Sequence, residues 1–73
     1  MTIKVKQSNQ EKTLVCKTCG TDNVQQPNVK RVDSTPGAPA NVMVSFACNN
    51  GDHKSIYSFT DHGDVEVMTV RVG

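Results

Sequence analysis

Three cysteines and one histidine carry the clearest chemistry in this 73-residue chain. Cys16 and Cys19 are separated by two residues and followed by Gly20, so one tight turn can place both sulfurs on the same side. Later in the chain, Cys48 and His53 offer a further sulfur and an imidazole. Zinc prefers thiolate and imidazole ligands in a tetrahedron. The spacing therefore predicts a structural Zn²⁺ site made by Cys16, Cys19, Cys48 and His53.

The sequence leaves alternatives at this site. His62 is the next candidate for the fourth ligand, because its turn can fold over the other residues, and Asp52 is the third. Cys48 lies two residues beyond Phe46 on an alternating segment, which is also typical of a small buried side chain. The Cys-x-x-Cys pair can instead form a labile disulfide. A thioredoxin-like redox site would place that pair at the start of a helix, and residues 18–27 show no helical pattern.

The size of the chain explains why a metal would matter. Only 36% of the residues are hydrophobic, and the aromatic residues are one tyrosine and two phenylalanines. A chain of this length buries only about 60% of the surface that its unfolded form exposes. Such domains need disulfides, a metal or a partner. An odd number of cysteines fits a disulfide framework poorly, so we expect one metal-stabilised domain spanning residues 1–73.

The N-terminal segment and the hydropathy pattern predict the compartment. Residues 1–10 are polar and contain no apolar core of a secretory signal. No stretch approaches the roughly 20 apolar residues that a membrane-spanning helix needs. These features predict a soluble cytoplasmic protein with reduced cysteines.

Alternating apolar and polar residues predict a mostly β fold. The pattern is clearest where Val42, Val44 and Phe46 share one face of a strand. A shift of the pattern after Val67 indicates either a bulge or a strand with both faces partly buried. Two prolines and a glycine make residues 34–41 a loop. We expect a small antiparallel sheet of three main strands (41–47, 54–60, 64–72), with one or two short strands added from among 2–6, 12–15 and 28–33.

The cysteine turns resemble those of zinc-ribbon proteins. Residues 16–20 match the first turn of a ribbon, and residues 48–53 match the second more loosely, because ribbons more often have a second cysteine three residues after the first and this chain has His53 further on. The stretch Phe46-x-Cys48 with Gly51 and His53, followed by Phe59 and His62-Gly63, is similar to short ribbon proteins of unassigned function from bacteria and phages. The resemblance implies two turns that face each other across a small sheet around a structural zinc.

Sequence features of an enzyme are missing. A catalytic zinc keeps one position open for water beside a carboxylate. Zinc deaminases place a histidine or cysteine two residues before a glutamate, ahead of Pro-Cys-x-x-Cys, and this chain has neither part. A chain of this length is also short for the usual substrate cavity of about 300–1,000 Å³. We therefore expect a binding module without enzymatic activity.

Two kinds of partner are compatible with the composition. The first is nucleic acid, with Tyr57 or Phe59 stacking on bases, although both rings also suit a core. The second is a protein, through an accessory role or a homodimer joined along the Val-rich C-terminal strand, 64–72, if that strand lies at a sheet edge. The candidate phosphate contacts are Lys4, Lys6, Lys12, Lys17, Lys30 and Arg31.

Overall fold

The computed structural model describes residues 1–33, 35–49 and 51–71. Regular structure in these ranges consists of strands, and no helix there is long and apolar enough to cross a membrane. Each strand matches a predicted segment, and its ends lie within two residues of the predicted ends. They are β1 (Thr2–Gln7), β2 (Gln10–Leu14), β3 (Asn28–Val32), β4 (Ala40–Ala47), β5 (Lys54–Asp61) and β6 (Glu66–Val70).

The strands form two antiparallel sheets of three strands, with orders β2-β1-β6 and β3-β4-β5. This confirms the mostly β prediction and corrects the expectation of a single principal sheet. The difference arises because β1 recruits β6 from the far end of the chain, with Thr2 opposite Val70 and Lys6 opposite Glu66. Alternation along a strand specifies which face is buried, but it does not specify the neighbouring strand.

One hydrophobic cluster draws on both sheets. Ile3 and Val5 of β1 lie in the same cluster as Val42, Val44 and Phe46 of β4, as the alternation in β4 predicts. Two of the three cysteines belong to this cluster as well, so the candidate metal ligands lie at the boundary of the core. The remaining buried members of the cluster are Leu14, Cys16, Val24 and Cys48.

The C-terminal strand has a regular ladder over Glu66–Val70 and no bulge in that range. Val67 and Met68 point to opposite faces and both are half-buried. Both faces of the strand are therefore partly buried, as one of the two sequence interpretations expected. The predicted end of this strand at residue 72 lies outside the described residues, as does Ser34 in the predicted loop.

Asp61 holds the turn between β5 and β6. Its Oδ1 accepts hydrogen bonds from the backbone N–H groups of Gly63, Asp64 and Val65, at 2.7, 3.1 and 3.3 Å. Its Oδ2 pairs with the guanidinium of Arg31 on β3. The hydrogen bond from Arg31, followed by that from Gly63, lowers the pKa of the Asp61 carboxyl. The carboxylate therefore connects the turn to the edge strand of the second sheet.

Candidate metal centre

The first cysteine turn follows β2. The backbone N–H of Cys16 donates to the carbonyl oxygen of Thr21 at 2.9 Å, and the N–H of Gly20 donates to the carbonyl oxygen of Cys16 at 2.7 Å. Gly20 has a φ of 75°, a left-handed conformation that glycine adopts without a steric penalty. These bonds turn the chain sharply and bring Cys19 back beside Cys16.

The second turn follows β4 and repeats the hydrogen bond that Cys16 makes to Thr21 in the first turn. The N–H of Cys48 donates to the carbonyl oxygen of His53 at 2.8 Å, so in both turns the first cysteine bonds to the residue five positions later. The N–H of Gly51, which has a φ of 81°, donates to the carbonyl oxygen of Cys48 at 2.8 Å. The sequence of this turn carries no second cysteine. The two turns together therefore supply three sulfurs.

Val24, which no sequence pattern marked as a site residue, links the segment after the first turn to Cys48 of the second. It forms an isolated antiparallel bridge with Cys48 and is 1% exposed. Its backbone N–H donates to the carbonyl oxygen of Met1, whose ammonium group donates to the carbonyl oxygen of Val24 at 2.6 Å. The available signal was a single apolar residue in the otherwise polar stretch 20–27.

The three sulfurs come together. The Sγ atoms of Cys16, Cys19 and Cys48 all lie within 4.8 Å of one another, and those of Cys19 and Cys48 are 3.3 Å apart. Three cysteines whose sulfurs lie this close together could hold a metal ion.

A disulfide also joins two of these cysteines. Cys16 is bonded to Cys48, with their Cα atoms 5.9 Å apart, while Cys19 is free and exposed. This bond contradicts the expectation that the cysteines are reduced, and it joins Cys16 to Cys48 rather than to Cys19, the only partner that the spacing suggested. Sulfurs bonded to each other are not available as thiolate ligands. The Cys16–Cys48 disulfide and a metal held by all three sulfurs are therefore mutually exclusive.

Neither histidine belongs to the sulfur cluster, and both side chains are exposed. His53 nevertheless occupies the next position of the β4–β5 ladder, in which Ala47 is opposite Lys54. Extension of this register by one residue places His53 opposite Cys48, in agreement with the hydrogen bond between their backbones. Its role as the fourth ligand stays a prediction. His62 lies in the turn held by Asp61, after the opposite end of β5.

The six basic candidates occupy different parts of the fold. Lys12 and Lys17 lie over the ring of Tyr57, with Nζ atoms 5.7 and 4.7 Å from the ring centroid. Lys4 pairs with Glu11 at 3.4 Å, whereas Lys6 lies two residues further along β1. On β3, Lys30 precedes Arg31, which forms ion pairs with Asp61 and Asp33. The structure brings Lys12 and Lys17 together and separates them from the pair on β3.

The two aromatic candidates pack inside the fold. The ring of Tyr57 stacks against Phe46 and Phe59 with centroid separations of 5.8 and 6.5 Å. Tyr57 and Phe59 are both half-buried against the core, and the hydroxyl of Tyr57 donates to the carbonyl oxygen of Val15 at 2.7 Å. These contacts give both rings a structural role.

The chain matches no protein-family model, no curated protein and no solved structure.

Proposed function

We propose that this protein is a small binding module stabilised by a structural zinc ion. The observation that carries the proposal is the convergence of three sulfurs from two turns. In both turns, the backbone N–H of the first cysteine donates to the carbonyl oxygen five residues later. Thiolates are soft ligands that favour zinc over magnesium or calcium. Structural zinc contributes about 10–16 kcal/mol in finger peptides, whereas whole domains are stable by only about 5–15 kcal/mol. Bound zinc is therefore able to supply a large share of the stability of this chain.

His53 completes the proposed site. Residues opposite each other in an antiparallel ladder have Cβ atoms about 4.5–5.5 Å apart and project to the same face. In the proposed site the exposed imidazole of His53, on the same face as Cys48, turns toward the sulfurs. With His53 the site has three sulfurs and one nitrogen, a common set for structural zinc. The ribbon-like turns agree with this proposal.

Cobalt substitution tests the ligand set. Under reducing conditions, Co²⁺ bound to thiolates gives charge-transfer absorption that grows with the number of sulfurs, and its visible bands report tetrahedral coordination. We expect tetrahedral bands from the wild-type protein and a weakened or altered spectrum from His53→Ala. His62→Ala is the matched control, because that residue is also an exposed histidine after a strand. Equal spectra for the wild type and His53→Ala would remove His53 from the site.

The proposed partner surface for nucleic acid contains Lys12 and Lys17. Their ammonium groups converge over Tyr57, next to the first cysteine turn. Contacts of these two ammonium groups with phosphates predict weak binding to single-stranded nucleic acid, and this binding should decrease as the salt concentration rises. Double replacement of Lys12 and Lys17 by alanine should abolish this binding in an anisotropy titration. An unchanged titration would exclude this surface.

A homodimer is the second candidate, and the edge position of β6 favours it. Other outer strands carry charges, Glu11 and Lys12 in β2 or Lys30 and Arg31 in β3, which oppose association of edges. In β5, the carbonyl oxygens of Ile56 and Thr60 already accept hydrogen bonds from the side chains of Lys17 and Gln7.

Strand β6 lacks comparable charges beyond its first residue. After Glu66 its described residues are uncharged, and Val70 is 48% exposed. A second copy could therefore pair with it in antiparallel fashion, with Met68 opposite Met68. We expect a molecular mass that rises with concentration in sedimentation experiments, and a monomer for Val70→Lys. A mass equal to one chain at all concentrations would exclude this candidate.

A further inference from the structure

We propose that Cys19 is a site of oxidative modification through which a small disulfide compound oxidises the buried cysteines and releases the metal. The release of metal rests on the proposed function, whereas the sulfur chemistry does not. The proposal explains why one cluster contains both a disulfide and the sulfurs of a metal site.

Exposure distinguishes the three sulfurs. Cys16 and Cys48 are 1% and 2% exposed, whereas Cys19 is exposed. A disulfide compound from solution therefore reaches Cys19 first. The sulfur of Cys19 is 3.3 Å from that of Cys48, so a modified Cys19 lies directly beside a second cysteine. An accessible cysteine next to a resolving cysteine is the usual arrangement of a redox-sensitive site.

The reaction proceeds through three exchanges of thiolate with disulfide. The Cys19 thiolate attacks a sulfur of the small disulfide, forms a mixed disulfide and releases one small thiolate. The Cys48 thiolate then attacks the Cys19 sulfur, forms the Cys19–Cys48 bond and releases the second small thiolate. Finally, the Cys16 thiolate attacks the Cys48 sulfur and displaces the Cys19 thiolate.

The product of these steps is the pairing in the structure, a Cys16–Cys48 disulfide with a free Cys19. Cys16 and Cys48 together lose two electrons, and the small disulfide gains them as it becomes two thiolates. A metal held by the three sulfurs loses two of its ligands, so oxidation and metal release occur together. Low-molecular-weight thiols reverse the reaction by the same exchanges.

The chain suits a direct test, because cleavage after lysine and arginine places each cysteine in a different peptide. Cys16 falls in residues 13–17, Cys19 in 18–30 and Cys48 in 32–54. Reduced, zinc-loaded protein is mixed with glutathione disulfide, quenched with acid at intervals, alkylated and mapped by mass spectrometry. A chromogenic indicator measures zinc release in parallel.

We expect the final product to link peptides 13–17 and 32–54, with peptide 18–30 alkylated and zinc released at the same rate. Cys16→Ser should stop at a link between 18–30 and 32–54, and Cys48→Ser should accumulate glutathione on 18–30. Cys19→Ser should react at least tenfold more slowly than the wild type. Early glutathione on 13–17 or 32–54 in the wild type, or a final link between 13–17 and 18–30, would overturn the proposal.

The wild-type map does not depend on the folding of any variant. The mapping also separates the two proposals, because it is repeated on reduced protein in the presence of a chelator. Protein that binds no zinc but follows this order of exchange would refute the structural-zinc proposal and leave the role of Cys19 standing. Zinc-loaded protein whose thiols do not react with glutathione disulfide would refute the role of Cys19 alone.

Discussion

Removal of the Cys48 sulfur should abolish stabilisation by zinc without a large loss of packing. Cys48 is buried and lies within the three-sulfur cluster, so Cys48→Ala leaves two sulfurs for a metal. The same change removes one sulfur from the core, which costs about 1 kcal/mol if the sulfur is treated as one buried methylene. The effect on zinc-dependent stability is expected to be several times larger.

The size of that effect follows from binding linkage. Free zinc at 1,000 times its dissociation constant stabilises the folded protein by about 4 kcal/mol. Each 1 kcal/mol shifts the melting temperature of a domain of this size by about 4–8 °C. The wild-type protein should therefore melt roughly 15–30 °C higher with zinc than with chelator. The assay is thermal unfolding followed by circular dichroism, with a phosphine reductant in both samples so that no disulfide contributes.

Val24→Ala is the matched control. Val24 is buried to the same extent and bridges to Cys48, but it offers no ligand atom. Loss of its two methyl groups costs about 1.6 kcal/mol of transfer free energy, plus a cavity term. The melting temperature of Val24→Ala should fall both with zinc and with chelator, and the difference between these two samples should remain as in the wild type. A full stabilisation by zinc in Cys48→Ala, or none in Val24→Ala, would show that the stabilisation does not depend on the Cys48 sulfur as a ligand.

Three further substitutions test contacts that hold the turns and strands around the site. The lowered pKa of Asp61 means that its ionised form stabilises the fold fully above its ordinary value of about 3.9, and that this stabilisation is lost as the pH falls through the lower folded value. Asp61→Asn should therefore lower the melting temperature at pH 7 and show a smaller further loss on acidification, and equal acid sensitivity of both proteins would contradict this. Tyr57→Phe removes the hydrogen bond to Val15 and should cost about 0.5–1.5 kcal/mol in denaturant unfolding, with no change counting against that bond. Gly51→Ala places a Cβ in left-handed backbone and 3.3 Å from Nε2 of Gln25, so it should cost about 1–2 kcal/mol and weaken zinc affinity in a competition titration, whereas wild-type affinity would separate this turn from the site.

Local pattern predicted a strand best where one face is buried, as in β4, whereas all five residues of β3 are exposed. In β4, Val42, Val44 and Phe46 alternate with less buried residues, and the buried side chains are the ones expected. The division into two sheets was not predictable in this way. It depends on the pairing of β1 with β6, and the pattern of either strand is compatible with several neighbours.

The cluster of sulfurs could be predicted because cysteine type, spacing and flanking glycines are local features. The bond between Cys16 and Cys48 could not be, since the choice among three nearby cysteines depends on side-chain placement rather than on count. The contribution of Val24 was also missed, because a single apolar residue in a polar segment has no periodicity to indicate burial. Local chemistry was thus easier to infer than long-range placement.

The metal content of the purified, untagged protein, prepared under reducing conditions, shows whether the three sulfurs hold zinc. Elemental analysis gives the number of zinc atoms per chain, and a thiol count on the same sample gives the oxidation state of the three cysteines. We expect about one zinc per chain with all three cysteines reduced. A folded, fully reduced protein that contains no zinc and takes up none on addition would contradict the account.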